Sequence, residues 1–245
     1  IYPPGSLHQK GCTEVMRLTW LSNAPWSITG YGNQTRVFTP RLKALGHEVA
    51  VIAFYGLEGR MIFWNGIPVY PRGNHPYGQD VMSADSAHFG ADVMISLMDA
   101  WVIQPQMLRP HATRWVAWFP VDSSPLPMAV KRSVEQAFGR IVYSRFGEQM
   151  VHEAGLDCLY VPHGVETDIF KPKPQRAARE AAKFPQDAFI IGMVAANKGN
   201  PSRKCFQQQL DAFAEFHRRH PDTLLYLHTL RGRDSGPGDF NIAEY

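Results

Sequence analysis

Eight short apolar runs rich in β-branched and aromatic residues recur along this chain, at 17–22, 48–55, 92–97, 114–119, 140–144, 158–161, 189–194 and 223–229. Polar or helical stretches separate most of them. Neighbouring parallel strands need a crossover of a dozen or more residues, usually a helix, so this rhythm predicts a parallel α/β sheet. Helix punctuation agrees with it. Ser144 is placed to cap a segment in which Phe146, Met150 and Val151 share a face, and Gly155 follows as its terminator. After Gly32, residues Phe38, Leu42 and Leu45 keep helical spacing and Gly46 ends the run, while Pro40 inside it predicts a kink or a split.

The pattern breaks at Lys171-Pro172-Lys173-Pro174. An Ala-rich helical stretch, Arg176 to Lys183, then leads to a second start at Phe189-Ile190-Ile191-Gly192-Met193-Val194. The expected organisation is a complete Rossmann-like domain over 16–172, a linker over 173–186 and a second Rossmann-like unit over 187–245. That second unit holds about 60 residues against the roughly 100 to 150 usual for a doubly wound domain, so it is expected to be incomplete, running out in Gly232-Arg233-Asp234-Ser235-Gly236-Pro237-Gly238. Residues 1–15 lack both an initiating Met and a signal-peptide pattern, and are read as a leader.

Composition narrows the function classes. A net charge of +3, from 25 basic and 22 acidic residues spread along the chain, is too mild for nucleic acid as the main partner. The basic run His217-Arg218-Arg219-His220 reads as the solvated end of an amphipathic helix. Three widely spaced cysteines, Cys12, Cys158 and Cys205, form neither a disulfide framework nor a zinc motif, which fits a reducing cytoplasm. No apolar run approaches the ~20 residues of a membrane-spanning helix.

Two loops carry the chemistry. Gly30-Tyr31-Gly32 stands where a strand should hand over to a helix, a place where glycine lets backbone approach a ligand and free helix N–H groups attract a phosphate. A tight turn would use the same glycines. Thr35 and the apolar Phe54-Tyr55 occupy the positions where a dinucleotide fingerprint wants a small residue and an acid. The second loop, Ala196-Asn197-Lys198-Gly199-Asn200-Pro201-Ser202-Arg203-Lys204, also follows a strand and precedes a helix with Phe206, Leu210, Phe213, Ala214 and His217 on one face. With Ser202 as its expected N-cap, Arg203 and Lys204 fall in the first turn, where cations oppose the helix dipole. A diphosphate meeting Lys198, Arg203, Lys204 and open N–H groups would resolve that conflict; a solvated basic turn is the alternative.

Several separated motifs resemble those of the retaining GT-B glycosyltransferases of family 4, the group 1 glycosyl transferases, over roughly Met16 to Tyr245. Gly30-Tyr31-Gly32 followed by Leu42-Lys43-Ala44-Leu45-Gly46-His47-Glu48-Val49 is similar to that family's glycine loop, first helix and entry to the second strand. Tyr160-Val161-Pro162-His163-Gly164-Val165-Glu166-Thr167-Asp168-Ile169-Phe170-Lys171-Pro172 is similar to its interdomain signature, with His163 and Glu166 replacing the commoner Asn and Asp. Lys198 and Lys204 stand where the family places an Arg and a Lys on the donor diphosphate; Asn197 and Arg203 can share that role, and Cys205 replaces the customary Gly.

The resemblance implies a GT-B fold and transfer of a sugar from a nucleotide-sugar donor, UDP- or GDP-linked, to a carbohydrate, lipid or other hydroxyl acceptor with retention. It implies no cofactor and no obligatory metal, and the chain contains no DxD motif. Lys204, Lys198 and Arg203 are expected to stabilise the leaving diphosphate. Asp122, in Trp118-Phe119-Pro120-Val121-Asp122-Ser123-Ser124-Pro125, is the candidate for the acceptor hydroxyl, although it can equally start a turn; Asp99 and Trp101 after the preceding strand stand under the same alternative. The family's paired glutamates, spaced E-x7-E, have no counterpart here, so truncation within the second domain and an inactive fragment are part of the expectation. A nucleotide-sugar epimerase of related architecture and a non-catalytic nucleotide- or sugar-binding module stay open. The oligomeric state is not encoded in any motif.

Overall fold

The computed structural model describes residues 14–107, 113–230 and 240–245. The expected leader, apart from Glu14 and Val15, and the stretch Gly232–Gly238 lie outside the described residues. The chain divides into two compact units, Ile1–Phe170 and Lys171–Tyr245.

The first unit is built on an eight-stranded sheet. Its strands are β1 (Arg17–Asn23), β2 (Glu48–Tyr55), β3 (Ile62–Trp64), β4 (Ile67–Tyr70), β5 (Val93–Leu97), β6 (Arg114–Phe119), β7 (Gly139–Val142) and β8 (Leu159–Tyr160), in spatial order β3-β4-β2-β1-β5-β6-β7-β8. Every pairing is parallel except β3 with β4. Central strands of such a sheet are covered on both faces and therefore read as continuous apolar runs; β2 is buried from Val49 through Ala53. The helices are α1 (Gly30–Ala44), α2 (Met82–Phe89), α3 (Met128–Val134) and α4 (Arg145–Glu153). Trp20, Val49, Val51 and Trp118 face Phe38 and Leu42 of α1, whereas Leu21, Ile52, Met94 and Phe119 face Met82, Val130, Val134 and Met150 of the other helices.

The hairpin β3–β4 was not among the expected strands. Its turn is Asn65-Gly66, both at positive φ (51° and 68°), as a tight two-residue hairpin requires. Of the two effects expected of Pro40, the split does not occur: α1 runs uninterrupted from Gly30 to Ala44. Pro40 has no N–H to give the carbonyl of Arg36 its helical partner, and Arg36 is an exposed residue. The stack of Phe38 on Trp20, at 6.0 Å between ring centroids, and its edge contact with Trp118 at 4.8 Å hold the helix to the sheet just before the proline. Helix α4 starts at Ser144, whose hydroxyl accepts from the Gly147 N–H at 2.9 Å, and is followed by Gly155 at φ +79°.

The second unit holds α5 (Gln175–Ala181), β9 (Phe189–Val194), α6 (Phe206–Arg219) and β10 (Thr223–His228), with β9 and β10 paired in parallel from Phe189↔Thr223 to Val194↔His228. Its apolar strands are poorly covered: Phe189 is 60% and Val194 76% exposed. A cavity of about 250 Å³ lies between the sheet and α6, lined by Ile191, Met193, Phe206, Leu210, Phe213 and Leu225. Two strands and one packed helix are too few to close a core. Among the described residues no helix is long and apolar enough to cross a membrane.

Candidate functional site

The carboxyl ends of β1, β2 and β5 to β8 share one edge of the first unit's sheet. From β1 the chain moves to β2 on one side, and β5 lies on the other, so the order reverses between β1 and β5; ligands of open α/β sheets bind outside the carboxyl ends at such a reversal. The N-terminus of α1 stands at this point. Thr29 caps it, its hydroxyl oxygen accepting from the Gly32 N–H at 3.0 Å and from the Asn23 amide at 2.7 Å. The N–H groups of Gly30 and Tyr31 have no partner among the described residues.

The two glycines answer different demands. A Cβ on Gly32 would press into the Ser27 carbonyl oxygen and come within 3.0 Å of the Ala24 carbonyl oxygen, so Gly32 lets α1 settle on the loop after β1. A Cβ on Gly30 would meet nothing within 4 Å, and this exposed position has no packing reason to be glycine. An open helix edge beside two free N–H groups is suited to an anion or a polar ligand.

Tyr31 between them points inward. Its hydroxyl donates to Asp99 Oδ2 at 3.3 Å, and burial, then Tyr143 and Asp99, push its ionisation above the usual phenol range. Tyr143, just past β7, is pushed up to about 12, chiefly by burial; the bond with Tyr31 opposes this, and the carboxylates of Asp99 and Asp122 add to it. Asp122 is exposed beyond the end of β6 and makes no hydrogen bond among the described residues. The sheet thus brings Tyr31 and Asp122, far apart in sequence, to one phenol neither had suggested.

His163 completes this cluster. Its ring lies 4.0 Å from that of Tyr143 and edge-on to Trp118 at 5.4 Å, and burial lowers its pKa, favouring neutral imidazole. His163 Nε2 and Trp118 Nε1 are both buried without a partner. The loop that carries His163 is fastened to α1: Gln34 donates to the Gly164 carbonyl at 3.1 Å and accepts from the Gly164 N–H at 2.8 Å, and Arg41 bonds Glu166 at 2.9 and 3.1 Å. Within the signature-like stretch, Gly164 and Glu166 therefore serve to fix this loop.

In the second unit, the start of α6 differs from the sequence expectation. Its N-cap is Cys205, at φ +54° and ψ +43°, and the helix begins at Phe206. Ser202 caps the preceding turn instead, accepting from the Lys204 N–H through its hydroxyl and from the Cys205 N–H through its carbonyl. Arg203 and Lys204 therefore precede the first helical turn and do not lie in it. The left-handed conformation of Cys205 favours glycine, the residue that the resembling family carries there. No side chain caps α6 and no acid lies in its first turn. Lys198, Arg203 and Lys204 are all exposed and form no ion pair among the described residues.

Asn197, expected beside them, is fully buried; its amide nitrogen donates to the carbonyls of Phe240 at 2.6 Å and Leu230 at 3.3 Å, so it braces the loop from beneath. Among the described residues no three His, Cys, Asp or Glu side chains gather as they would around a metal ion. Sequence reasoning missed Tyr143 altogether. Its one signal was its place at the carboxyl end of a parallel strand, directly before the Ser144 cap.

No protein-family model matches the chain, and no curated protein matches it. Among solved structures it is similar to the crystal structure of a glycosyltransferase from Rickettsia africae ESF-5, with 12% identity over 88% of this chain and 69% of that chain, at a TM-score of 0.58. At that identity the likeness is one of fold: a Rossmann-like, parallel-dominated α/β architecture of the kind found in a glycosyltransferase.

Proposed function

We propose that this protein is a GT-B type glycosyltransferase that moves a sugar from a nucleoside-diphosphate donor, UDP- or GDP-linked, to an acceptor hydroxyl with retention at the anomeric carbon. The observation that carries the reading is the start of α6, a helix N-terminus with no acid in its first turn and, among the described residues, no side-chain cap, preceded by Lys198, Arg203 and Lys204, which form no ion pair among those residues. Such a group of cationic donors beside open helix N–H groups favours a doubly charged diphosphate over a neutral ligand. The fold shared with a glycosyltransferase and the motifs that resemble family 4 support the same assignment.

In this reading Lys204, Lys198 and Arg203 stabilise the charge that the nucleoside diphosphate gains as the sugar becomes oxocarbenium-like. The departing phosphate takes the acceptor proton, and Asp122, at the carboxyl edge of the first unit's sheet, orients the acceptor hydroxyl. The open N–H groups at Gly30 and Tyr31 supply a further polar edge for substrate. The test is incubation of the chain with UDP- and GDP-sugars, with proton NMR of the released or transferred sugar. Release of the diphosphate with retained anomeric configuration supports the proposal. Inversion refutes the retaining mechanism, and donor binding without any turnover identifies a sugar-nucleotide-binding module.

A further inference from the structure

At the sheet reversal the first unit carries a carboxylate with one oxygen unbonded and, two residues on, an aromatic without a partner, both among the described residues. Asp99 follows β5 and precedes a 3-10 turn, Ala100–Val102, that contains Trp101. The turn itself is anchored: Ala100 and Val102 are buried, and the Val102 carbonyl accepts from the Gln79 amide at 2.7 Å. Trp101, between these two anchors, is 58% exposed, and its indole makes no ring contact or hydrogen bond among the described residues. A large apolar ring held out on a rigid turn costs hydrophobic free energy in the free protein. Asp99 is only half-exposed. Its Oδ2 accepts from Tyr31, which fixes the carboxylate beside the open end of α1, and its Oδ1 has no partner among the described residues.

We infer that Asp99 and Trp101 form a pyranose-binding subsite, in which the indole face packs on the ring C–H groups of a sugar and the carboxylate accepts hydrogen bonds from its hydroxyls. The chemistry separates a sugar from other ligands. A phosphate or carboxylate is repelled by Asp99, and a purely apolar group leaves that carboxylate desolvated without compensation. A pyranose offers an apolar face and adjacent hydroxyl donors at the same time. The N–H groups of Gly30 and Tyr31 and the Trp101 indole N–H are donors on the same edge for the remaining hydroxyl oxygens. Taken with the proposed transferase activity, on which the word acceptor rests, the acceptor is a carbohydrate.

The test uses the whole chain titrated with methyl α-D-glucopyranoside, methyl α-D-mannopyranoside and methyl β-D-galactopyranoside, followed in 15N-labelled protein by the Trp101 indole resonance and by the Gly30 and Tyr31 backbone amides, which give the affinity where the indole is absent. Asp99→Asn, Trp101→Ala and a control, Phe63→Ala on the exposed edge strand β3, are titrated alongside. Asp99→Asn keeps an oxygen for the Tyr31 hydroxyl and Trp101→Ala changes an exposed side chain, so both fold. At least one glycoside is expected to shift the Trp101 resonance, and each subsite variant to weaken its binding by about tenfold or more, with Phe63→Ala unchanged. No shift with any glycoside overturns the inference, as does affinity within twofold of wild type in both subsite variants. Glycoside binding that depends on Asp99, in a chain that binds neither UDP nor GDP, leaves the subsite standing and refutes only the transferase reading.

Discussion

Replacing Gly32 by alanine should destabilise the first unit, whereas the same change two residues earlier should not. At Gly32 the new Cβ presses on the carbonyl oxygen of Ser27 and approaches the carbonyl oxygen of Ala24 and the Cβ of Ser27, each to 3.0 Å. Backbone atoms cannot swing aside as the end of a long side chain can. Relief requires α1 to lift from the loop 24–27, which also disturbs the contact of Thr29 with Asn23. Overpacking of this kind costs about 1–3 kcal/mol. For a domain of this size that lowers Tm by about 2–4 °C per kcal/mol, or roughly 2–12 °C in all. Gly30 has open space around its Cβ direction and helical backbone, so Gly30→Ala should be neutral or stabilising by up to about 1 kcal/mol through the unfolded chain. Thermal unfolding followed by circular dichroism measures both variants. Equal melting of Gly32→Ala and wild type would refute the packing argument, and a large loss in Gly30→Ala would refute the claim that its edge is open.

Asp85 on α2 has a buried Oδ2 without a partner, and burial pushes its carboxyl up to about 6 against an ordinary 3.8. A carboxyl raised on folding loses stability as pH rises from its unfolded to its folded value, so the native state carries this penalty in full above pH 6. Asp85→Asn should therefore raise stability at pH 7 by on the order of 1 kcal/mol, with the gain fading below about pH 4; urea titrations at pH 4 and pH 7 check this, and an equal effect at both pH values contradicts it. Ser144→Ala removes the α4 cap and should cost about 1 kcal/mol in the same assay, while no loss would mean that water replaces the hydroxyl.

The parts of the fold legible in the sequence were those in which one local demand dominates. The runs at 48–55 and 114–119 coincide with β2 and β6, because strands between parallel neighbours need unbroken apolar sequence, and the run at 189–194 coincides with β9, paired in parallel with β10. The β3–β4 hairpin was passed over, although Asn65-Gly66 is a direct turn signal, because strands of three and four residues with Pro68 inside leave little periodicity. Helix α2 keeps only Met82 and Ser86 buried in eight residues, too few for a stripe. Ser202 looked like the cap of α6 from its residue type, but the loop takes one more turn and places Cys205 in a left-handed conformation that no local rule assigns to cysteine. The position of the candidate site followed from strand-to-helix handovers. Its internal wiring did not, since Tyr31 and Asp99 are 68 residues apart and meet only once β1 and β5 pair.

The most direct test of the account is calorimetric titration of the wild-type chain and Lys204→Ala with UDP and GDP. Lys204 is exposed and its side chain has no partner among the described residues, so its truncation spares the fold. The account predicts binding of at least one nucleoside diphosphate to the wild type, weakened about tenfold or more in Lys204→Ala, as loss of a charge-assisted contact requires. Absence of binding to the wild type, or equal affinity in the variant, would contradict the assignment of the α6 N-terminus to the donor diphosphate.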